Sequence, residues 1–378
     1  MSVPITWHLI TGEYPNQPGG VSDYTRQIAT GLAGRGHLVH VWAPDSHHGT
    51  AVDPGVFVHP LPDRFSWRTI RKLGKVLDAW DPPSRLFVQY VPHAFGCKGM
   101  NIPFARWLRR RRLPVWVMFH EVAYPWFKGQ SWKHQFLGCV THRMARWISL
   151  AAERSFVSIP SWSDMIRNVA PEARSAEWLP VPSVVPELDN PAAPAALRQS
   201  LGVPNEQTLV GHFGTYGPLI TAILEPVCRQ LLSTGTAKQM LLIGRNSEQF
   251  ASRLSEFGGR IHAAGNLPPK LISTHLAACD LLVQPYPDGL STRRTSLMAA
   301  MAAGLPVVSN HGFLSEPFWL DSESVLLTSV TDPLEIADLA KRALSDRSRL
   351  RVTGATALAL YNERFSLNRT LDTLERTI

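Results

Sequence analysis

Short apolar runs alternate along this chain with segments whose apolar residues recur at helical spacing. In the first half, Ile5–Ile10, Leu38–Ala43 and Val115–Phe119 are strand-like, and Val21–Leu32 carries an apolar helical face. Strands that alternate with helices indicate βαβ units around a parallel sheet. Several runs are apolar throughout, which is expected where helices cover both faces of a sheet.

The alternation occurs twice, and a proline-rich stretch separates the two blocks. It restarts at Leu209–Phe213 and continues to Val325–Leu327, after which only helical patterns follow. We therefore predict an α/β protein with two Rossmann-like domains. The predicted segments are residues 1–183, a linker over 184–200, residues 201–364 and a final helix over 365–378.

The composition is that of a globular protein with about two domains. The chain has 378 residues, of which 44% are hydrophobic and 18% charged, so extensive disorder and fibrous structure are excluded. No apolar run is long enough to span a membrane, and residues 1–10 lack the regions of a signal peptide. Four widely spaced cysteines and a net charge of +8 favour a cytoplasmic protein with reduced thiols and anionic partners.

Open parallel sheets bind ligands beyond the carboxyl ends of their strands, so the loops at those ends are the candidate site. After the first strand, Gly19 and Gly20 precede a helix whose N-terminus would attract an anion. The spacing is not the dinucleotide pattern G-x-G-x-x-G, and a plain strand-to-helix turn is the alternative.

A histidine and a glutamate follow the strand Val115–Phe119. His120 and Glu121 suit acid–base chemistry or recognition of a polar substrate, although a single histidine is more often structural. The next residues, among them Tyr124 and Trp126, form a dense aromatic loop. Aromatic rings stack on sugars or lipids, and they equally well cover a core.

The second block has three loops of the same kind. Gly214 and Thr215 follow its first strand, and Arg245 follows the next. A glycine turn before a helix and an arginine both suit a diphosphate. The third loop, Pro285–Arg294, leads into a predicted helix over Thr292–Ala303. It is the most informative stretch, because hydroxyls, two arginines and a helix N-terminus coincide there.

Metal chemistry has little support in the sequence. The 14 histidines are scattered, and His47-His48 has no cluster of ligands near it. The chain contains no Walker A, G-x-S-x-G or D-x-D motif. We therefore expect no metal site and no resident cofactor.

Two motifs resemble those of GT-B glycosyltransferases in family four, the large retaining family that includes sucrose synthases and mannosyltransferases. Gly19-Gly20-Val21, with a helix that ends at Gly34 and the strand Val39–Ala43, is similar to the family's opening motif. The stretch Ala299–Val308 (AAMAAGLPVV) is similar to its E-A-M-A-x-G-x-P-V-V element. The resemblance extends over nearly the whole chain and implies two domains that face each other across a cleft.

The resemblance implies a retaining, metal-independent glycosyltransferase whose donor is a UDP- or GDP-linked sugar. The donor would lie mostly against the second domain, and the final helix would return to the first. The acceptor hydroxyl would attack the face that the diphosphate leaves, and a diphosphate oxygen would take its proton. His120 corresponds to the family's histidine at this strand end and would contact the donor sugar.

The chain departs from the family in two places. The two signature glutamates, eight positions apart, correspond to Ser291 and Ala299. The usual Arg and Lys after the first strand of the second domain are missing, because residues 214–222 contain no basic side chain. We expect Arg293 and Arg294 to supply that charge to the diphosphate.

Asp288 is expected to replace the missing sugar-binding carboxylate. The predicted site residues are His120, Asp288 and Ser291 for catalysis; Gly19, Gly20, Gly214, Thr215, Arg245, Gly289, Thr292, Arg293 and Arg294 for the donor; and Tyr90, His93, Glu121, Tyr124 and Trp126 on the acceptor side.

The acceptor would be a glycan, a glycolipid or a small molecule in polysaccharide or glycan biosynthesis, and no nucleic acid is expected. Two alternatives fit the same fold: a nucleotide-sugar epimerase, and a non-catalytic sugar-binding or partner subunit that has lost both glutamates. Arg106 and Arg109–Arg112 lie beside Phe104, Trp107 and Leu108. This cluster predicts a weak peripheral contact with anionic lipid at the inner face of a membrane, or else a solvated helix end.

Overall fold

A computed structural model describes residues 4–17, 19–45, 49, 51–80, 83–204, 206–235 and 239–376. Its contacts divide the chain into two compact units: unit 1 is residues 1–180 with 367–378, and unit 2 is residues 181–366. Each unit contains a parallel sheet flanked by helices, so the predicted α/β class with two Rossmann-like halves is confirmed.

Unit 1 has a seven-stranded parallel sheet in the order β3-β2-β1-β4-β5-β6-β7. Its strands are β1 Thr6–Thr11, β2 Leu38–Pro44, β3 Val56–Leu61, β4 Ser84–Tyr90, β5 Val115–Phe119, β6 Arg154–Val157 and β7 Glu177–Trp178. Its first five helices are α1 Gly20–Gly34, α2 Trp67–Leu77, α3 Ile102–Leu108, α4 Trp132–Ala151 and α5 Pro160–Val169. The chain order reverses between β1 and β4, so a crevice is expected at the carboxyl ends of these two strands.

Unit 2 has a six-stranded parallel sheet in the order β10-β9-β8-β11-β12-β13. Its strands are β8 Leu209–Phe213, β9 Gln239–Ile243, β10 Ile261–Gly265, β11 Leu281–Val283, β12 Val307–Asn310 and β13 Leu326–Thr328. Its helices are α6 Ala193–Ser200, α7 Pro218–Ser233, α8 Ser247–Ala251, α9 Pro269–Ala277, α10 Thr295–Ala302, α11 Pro333–Leu344 and α12 Arg347–Leu360. Here the order reverses between β8 and β11, which places the expected crevice at their carboxyl ends.

The last helix, α13 (Leu367–Glu375), belongs to unit 1 and packs on α1. Arg35 at the end of α1 pairs with Asp372 at 2.8 Å and with Glu375 at 2.5 Å. His37 Nε2 lies 2.8 Å from the second carboxylate oxygen of Glu375. A buried leucine face of α13 and this ion-pair network together hold the chain's last helix on its first.

Residues 184–200, which we predicted as a linker, lie within unit 2, and their second half forms α6. The side chain of Arg198 explains this attachment. It is buried, donates to the Ala278 carbonyl at 2.8 Å and pairs with Asp280 at 3.2 Å. The proline-rich composition therefore marks the entry to unit 2 rather than a segment without structure of its own.

Three histidines stack across one edge of the unit 1 sheet. His8 on β1 stacks on His40 on β2, and His40 stacks on His59 on β3, with ring centroids 5.3 and 5.1 Å apart. Nδ1 of His40 lies 2.8 Å from Nε2 of His59. Burial, and to a lesser extent the neighbouring histidines, lower the pKa of His8 to about 3 and of His40 to about 4.

We expect this cluster to make unit 1 acid-sensitive. Because the folded-state pKa lies below the unfolded value of about 6.5, the unfolded chain binds more protons, and stability falls as the pH drops below about 6.5. Buried His8 alone should lower the free energy of unfolding by about 1–2 kcal/mol between about pH 6.5 and pH 5. Eleven of the twelve tryptophans lie in unit 1, so urea unfolding followed by tryptophan fluorescence reports on it. His8→Gln should flatten the pH profile, and an unchanged profile would contradict the assignment.

Candidate functional site

The loops that follow β8 and β9 touch at the crevice of unit 2. Gly244 has φ of +121°, and a Cβ there would overlap the carbonyl oxygen of Gly214. The backbone N–H of Gly214 donates to the Ile243 carbonyl at 3.1 Å, and that of Gly244 donates to Gly265 at 2.9 Å. Thr215 and Arg245, predicted to bind the donor, are exposed at the ends of these two strands.

The loop between β11 and α10 contains a carboxylate bound by two arginines. Asp288 forms ion pairs with both Arg293 and Arg294. The Arg294 guanidinium also lies over the ring of Tyr286, 4.6 Å from its centroid, and the Tyr286 hydroxyl is 2.8 Å from Ser296 Oγ in the first turn of α10. The structure thus brings the three predicted charged residues together, with a net charge of +1 beside the start of a helix.

Our prediction for the start of this helix was wrong. Thr292 does not begin α10, which starts at Thr295 with Arg294 as the preceding residue. The Thr292 N–H donates instead to Oε1 of Glu316 at 3.0 Å, and its hydroxyl donates to the same oxygen at 2.5 Å. The carboxylate of Glu316, 24 residues further along the chain, therefore binds Thr292 and keeps it out of α10.

Glu316 holds this loop in place, and the sequence alone did not predict that role. It is buried, and its Oε2 also accepts a hydrogen bond from Trp319 Nε1 at 2.6 Å. Burial raises the pKa of the Glu316 carboxyl, while the hydrogen bonds from Thr292 oppose that rise. The only signal in the sequence is an isolated glutamate before an aromatic pair, Phe318 and Trp319.

Gly289 and Ser291 lie inside the same loop. Gly289 has φ of +89°, and a Cβ there would overlap the backbone nitrogen of Gly312, which follows β12. Ser291 is fully buried, and within the described residues its hydroxyl has no hydrogen-bond partner. Ser291 therefore lies beneath the loop surface rather than on it.

In unit 1, His120 lies where β5 ends. Its Nε2 is 3.0 Å from Oε1 of Gln89 on β4, its ring meets the ring of Tyr24 edge-on, and its carbonyl accepts from Trp162 Nε1 at 3.2 Å. Burial lowers the pKa of His120 to about 3, so the imidazole is neutral at physiological pH. With Gln89 accepting the Nε2 proton, Nδ1 carries the lone pair.

The glycine turn before α1 already holds a carboxylate. Oε1 of Glu13 accepts a hydrogen bond from the backbone N–H of Ser22 at 3.0 Å, in the first turn of α1. A Cβ at Gly19 would overlap this carboxylate, whereas Gly20 has open space around it. The predicted anion site at this helix N-terminus is therefore filled by the chain itself.

The predicted acceptor-side residues divide into exposed and buried ones. His93 Nδ1 lies 3.8 Å from Oε2 of Glu121, and both side chains are exposed. Tyr124 stacks on His134, with ring centroids 5.6 Å apart. Tyr90 is fully buried, so an acceptor-side role for it conflicts with its place in the core of unit 1.

The predicted lipid contact at the end of α3 is wrong in its apolar part. Phe104, Trp107 and Leu108 are buried in the core of unit 1, because their spacing along α3 turns them to the sheet. The Arg111 guanidinium stacks on Trp107 at 4.6 Å and pairs with Asp78. Of the predicted cluster, the exposed residues are Arg106, Arg109, Arg110 and Arg112.

Other chemistry has few candidates within the described ranges. No group of three or more histidines, cysteines and acidic residues there could hold a metal ion. Cys97 and Cys139 are exposed free thiols, and Cys228 and Cys279 are buried ones. No helix in the described part of the chain is long and apolar enough to cross a membrane. His47-His48 lies outside the described residues.

Two parallel sheets of this order, each with an expected crevice at its reversal point, give the α/β architecture that the GT-B resemblance implies. Comparison with protein families agrees. Residues 19–182 match the family described as a glycosyl transferase 4-like domain, and residues 211–346 match glycosyl transferases group 1. The chain belongs to this group of glycosyltransferases, and the predicted family is confirmed. No curated protein matches the chain significantly.

Solved structures show the same fold. HepE from Anabaena, solved in complex with UDP-glucose, is 17% identical with a TM-score of 0.67, and the match covers 99% of both chains. Sucrose-phosphate synthase from Thermosynechococcus elongatus is 16% identical with a TM-score of 0.73, covering 98% of both. WaaG, a glycosyltransferase involved in lipopolysaccharide biosynthesis, is 15% identical with a TM-score of 0.70, covering 98% of this chain and 99% of WaaG. The predicted GT-B fold is therefore confirmed.

Proposed function

We propose that the protein is a retaining glycosyltransferase that moves a sugar from a UDP- or GDP-linked donor to a hydroxyl group. The observation that carries this proposal is the charged loop of unit 2, in which Arg293 and Arg294 meet at Asp288 beside the start of α10. Two guanidiniums and the free N–H groups of a helix N-terminus suit the two negative phosphates of a leaving diphosphate. HepE, a structural neighbour, was solved with UDP-glucose.

In the proposed reaction, the bond between the sugar carbon and the diphosphate breaks while the acceptor oxygen bonds to the same face of that carbon. The acceptor proton passes to the departing diphosphate oxygen. The protein's part is then to stabilise the growing charge on the diphosphate and to orient the acceptor. Such chemistry needs no metal ion and no resident cofactor, because the arginines supply the positive charge.

His120 suits the donor sugar better than it suits a general acid. An imidazole whose pKa is about 3 stays neutral at physiological pH, so its Nδ1 can accept a hydrogen bond from a sugar hydroxyl, but it is not an imidazolium that could act as a general acid. On the acceptor side, the exposed side chains of His93, Glu121 and Trp126, with half-buried Tyr124, offer polar and aromatic surface to a glycan, glycolipid or small molecule. A cytoplasmic site of action stays a prediction.

One observation favours a non-catalytic partner subunit as the second candidate. Ser291 and Ala299 replace both signature glutamates, and both positions are buried. A protein that binds a nucleotide-sugar without transferring it would keep the charged loop and lose only the catalytic carboxylates.

A thermal-shift panel of nucleotide-sugars tests the proposal. At about 100 times its dissociation constant, a true donor should stabilise the protein by about 2.7 kcal/mol, equivalent to a rise in Tm of roughly 5–10 °C. The matching nucleoside without phosphates is the control and should leave Tm unchanged. Release of the nucleoside diphosphate with an acceptor library then separates transfer from binding alone. No shift with any UDP- or GDP-sugar would contradict both candidates.

A further inference from the structure

The positive charge of the protein is concentrated in one short stretch of unit 1. Residues 91–150 contain ten lysines and arginines and a single acidic residue, Glu121. The stretch therefore has a net charge of +9, whereas the rest of the chain, with 28 basic and 29 acidic residues, has −1. Within the described residues only two of the ten cations, Arg111 and Arg146, have a carboxylate partner.

The same stretch exposes large aromatic rings. Trp126, Phe127, Trp132 and Phe136 are 56%, 62%, 73% and 58% exposed, although they lie within eleven residues of one another. Lys128 and Lys133 are exposed among them, and the Lys133 ammonium lies over the Trp132 ring. Single exposed apolar side chains are ordinary, but a group of four aromatic rings is a feature of interaction sites.

These aromatic and basic side chains form one continuous surface. One exposed stripe of α4 runs at helical spacing through Trp132, Phe136, Cys139, Arg143 and Arg146. The preceding loop folds back onto α4, where Trp126 stacks on His142 with ring centroids 4.9 Å apart. At the other end, guanidiniums from α3 and α4 meet on one ring, with Arg106 and Arg143 5.1 and 5.3 Å from Trp147. We call the whole the α4 surface.

We propose that the α4 surface binds the anionic face of a lipid bilayer. Tryptophan and phenylalanine favour the boundary between headgroups and acyl chains, and unpaired lysines and arginines are attracted to anionic headgroups. The arrangement fits a bilayer better than a nucleic acid, because the four exposed rings are concentrated between residues 126 and 136, whereas eight of the ten cations lie outside that segment. The inference rests on exposure and charge and is independent of the proposed transferase activity.

Co-sedimentation with vesicles tests the proposal on the full chain. Wild type should sediment with phosphatidylcholine vesicles that contain phosphatidylglycerol, more weakly at higher salt, and should stay in solution with pure phosphatidylcholine. Lys128→Glu/Lys133→Glu and Trp132→Ser/Phe136→Ser should each weaken binding by about tenfold or more. Matched controls in unit 2, Lys341→Glu/Arg342→Glu and exposed Phe313→Ser, should bind like wild type.

A fluorescent probe gives a second readout that does not depend on the stability of these variants. Cys139 is exposed in the middle of the stripe, so a polarity-sensitive dye on it, in a Cys97→Ser background, should shift to the blue when anionic vesicles are added. The proposal is overturned if wild type does not bind anionic vesicles at low salt, or if the unit 2 controls lose as much binding as the α4 variants. It is also overturned if wild type does not bind vesicles but self-associates or binds RNA, and the α4 substitutions abolish that binding.

Discussion

Glu316→Ala is expected to destabilise unit 2 by about 3 kcal/mol and to disorder the loop that carries Asp288 and its two arginines. The substitution removes the acceptor of the Thr292 N–H, the Thr292 hydroxyl and the Trp319 Nε1–H, all in a buried place. Each buried donor that loses its acceptor costs about 1–3 kcal/mol. Since the affected loop leads directly into α10, donor binding should fall together with stability.

Hydrogen exchange of peptides from residues 288–319 measures this effect, because tryptophan fluorescence reports mainly on unit 1. Glu316→Gln keeps one oxygen for Thr292 but turns an amide group towards a donor, so an intermediate loss is expected. Exposed Glu323→Ala is the matched control and should exchange like wild type. If Glu316→Ala and Glu323→Ala behave alike, the carboxylate does not hold the loop.

The fold could be predicted from the sequence because its signals are local. The run VWVMF of β5 is buried along its whole length, as expected of a strand covered on both sides. Helix boundaries were less accurate where a side chain decides them. The sequence pattern predicts a helix over Phe104–Arg111. The observed α3 spans Ile102–Leu108, because the buried side chain of Asn101 accepts from the Phe104 N–H at 3.1 Å. The sequence does not show that Asn101 is buried, so this helix cap could not be predicted from it.

The candidate site was less predictable, because contacts distant in sequence shape it. Ser291-Thr292 has the composition of a helix cap, yet Glu316 captures Thr292 from 24 residues away. The buried state of Tyr90 likewise follows from its packing on Phe95 and Phe119, not from its own neighbours in the chain. By contrast, Asp288 and Arg293 pair within a single loop. Their opposite charges, five positions apart, are visible in the sequence, so this contact could be predicted.

Each unit, taken by itself, places a carboxylate where a phosphate was predicted. In unit 1, Glu13 accepts from the first turn of α1, and in unit 2, Asp288 holds both arginines of the charged loop. A helix N-terminus and a guanidinium attract a carboxylate for the same reason that they attract a phosphate. A diphosphate that binds at the charged loop must therefore replace Asp288 as the partner of at least one arginine.

This exchange leads to distinct expectations for the three charged residues. Arg293→Ala should weaken nucleoside-diphosphate binding by about 10- to 100-fold, the cost of about 1.5–3 kcal/mol for a lost charge-assisted hydrogen bond. Arg294 also lies on the Tyr286 ring and thereby supports the loop, so Arg294→Ala should lower the stability of unit 2 as well as binding. Asp288→Asn should bind the nucleoside diphosphate more tightly, since no carboxylate competes, but should lose sugar transfer if Asp288 holds the donor sugar.

Titration calorimetry with UDP and GDP, next to turnover with the donor found in the thermal-shift panel, separates these effects. Arg342 is exposed on α11, outside the charged loop. Arg342→Ala removes one positive charge and should bind like wild type, so it controls for the change in net charge. Weaker diphosphate binding by Asp288→Asn would contradict the exchange, because it would mean that the carboxylate helps to hold the phosphates rather than competing with them. If Arg293→Ala and Arg294→Ala both bind like wild type, Arg245 or backbone N–H groups must carry the diphosphate instead. Arg245 is exposed where β9 ends, whereas the Gly214 N–H is already bonded to the Ile243 carbonyl, so Arg245→Ala is the next variant to measure.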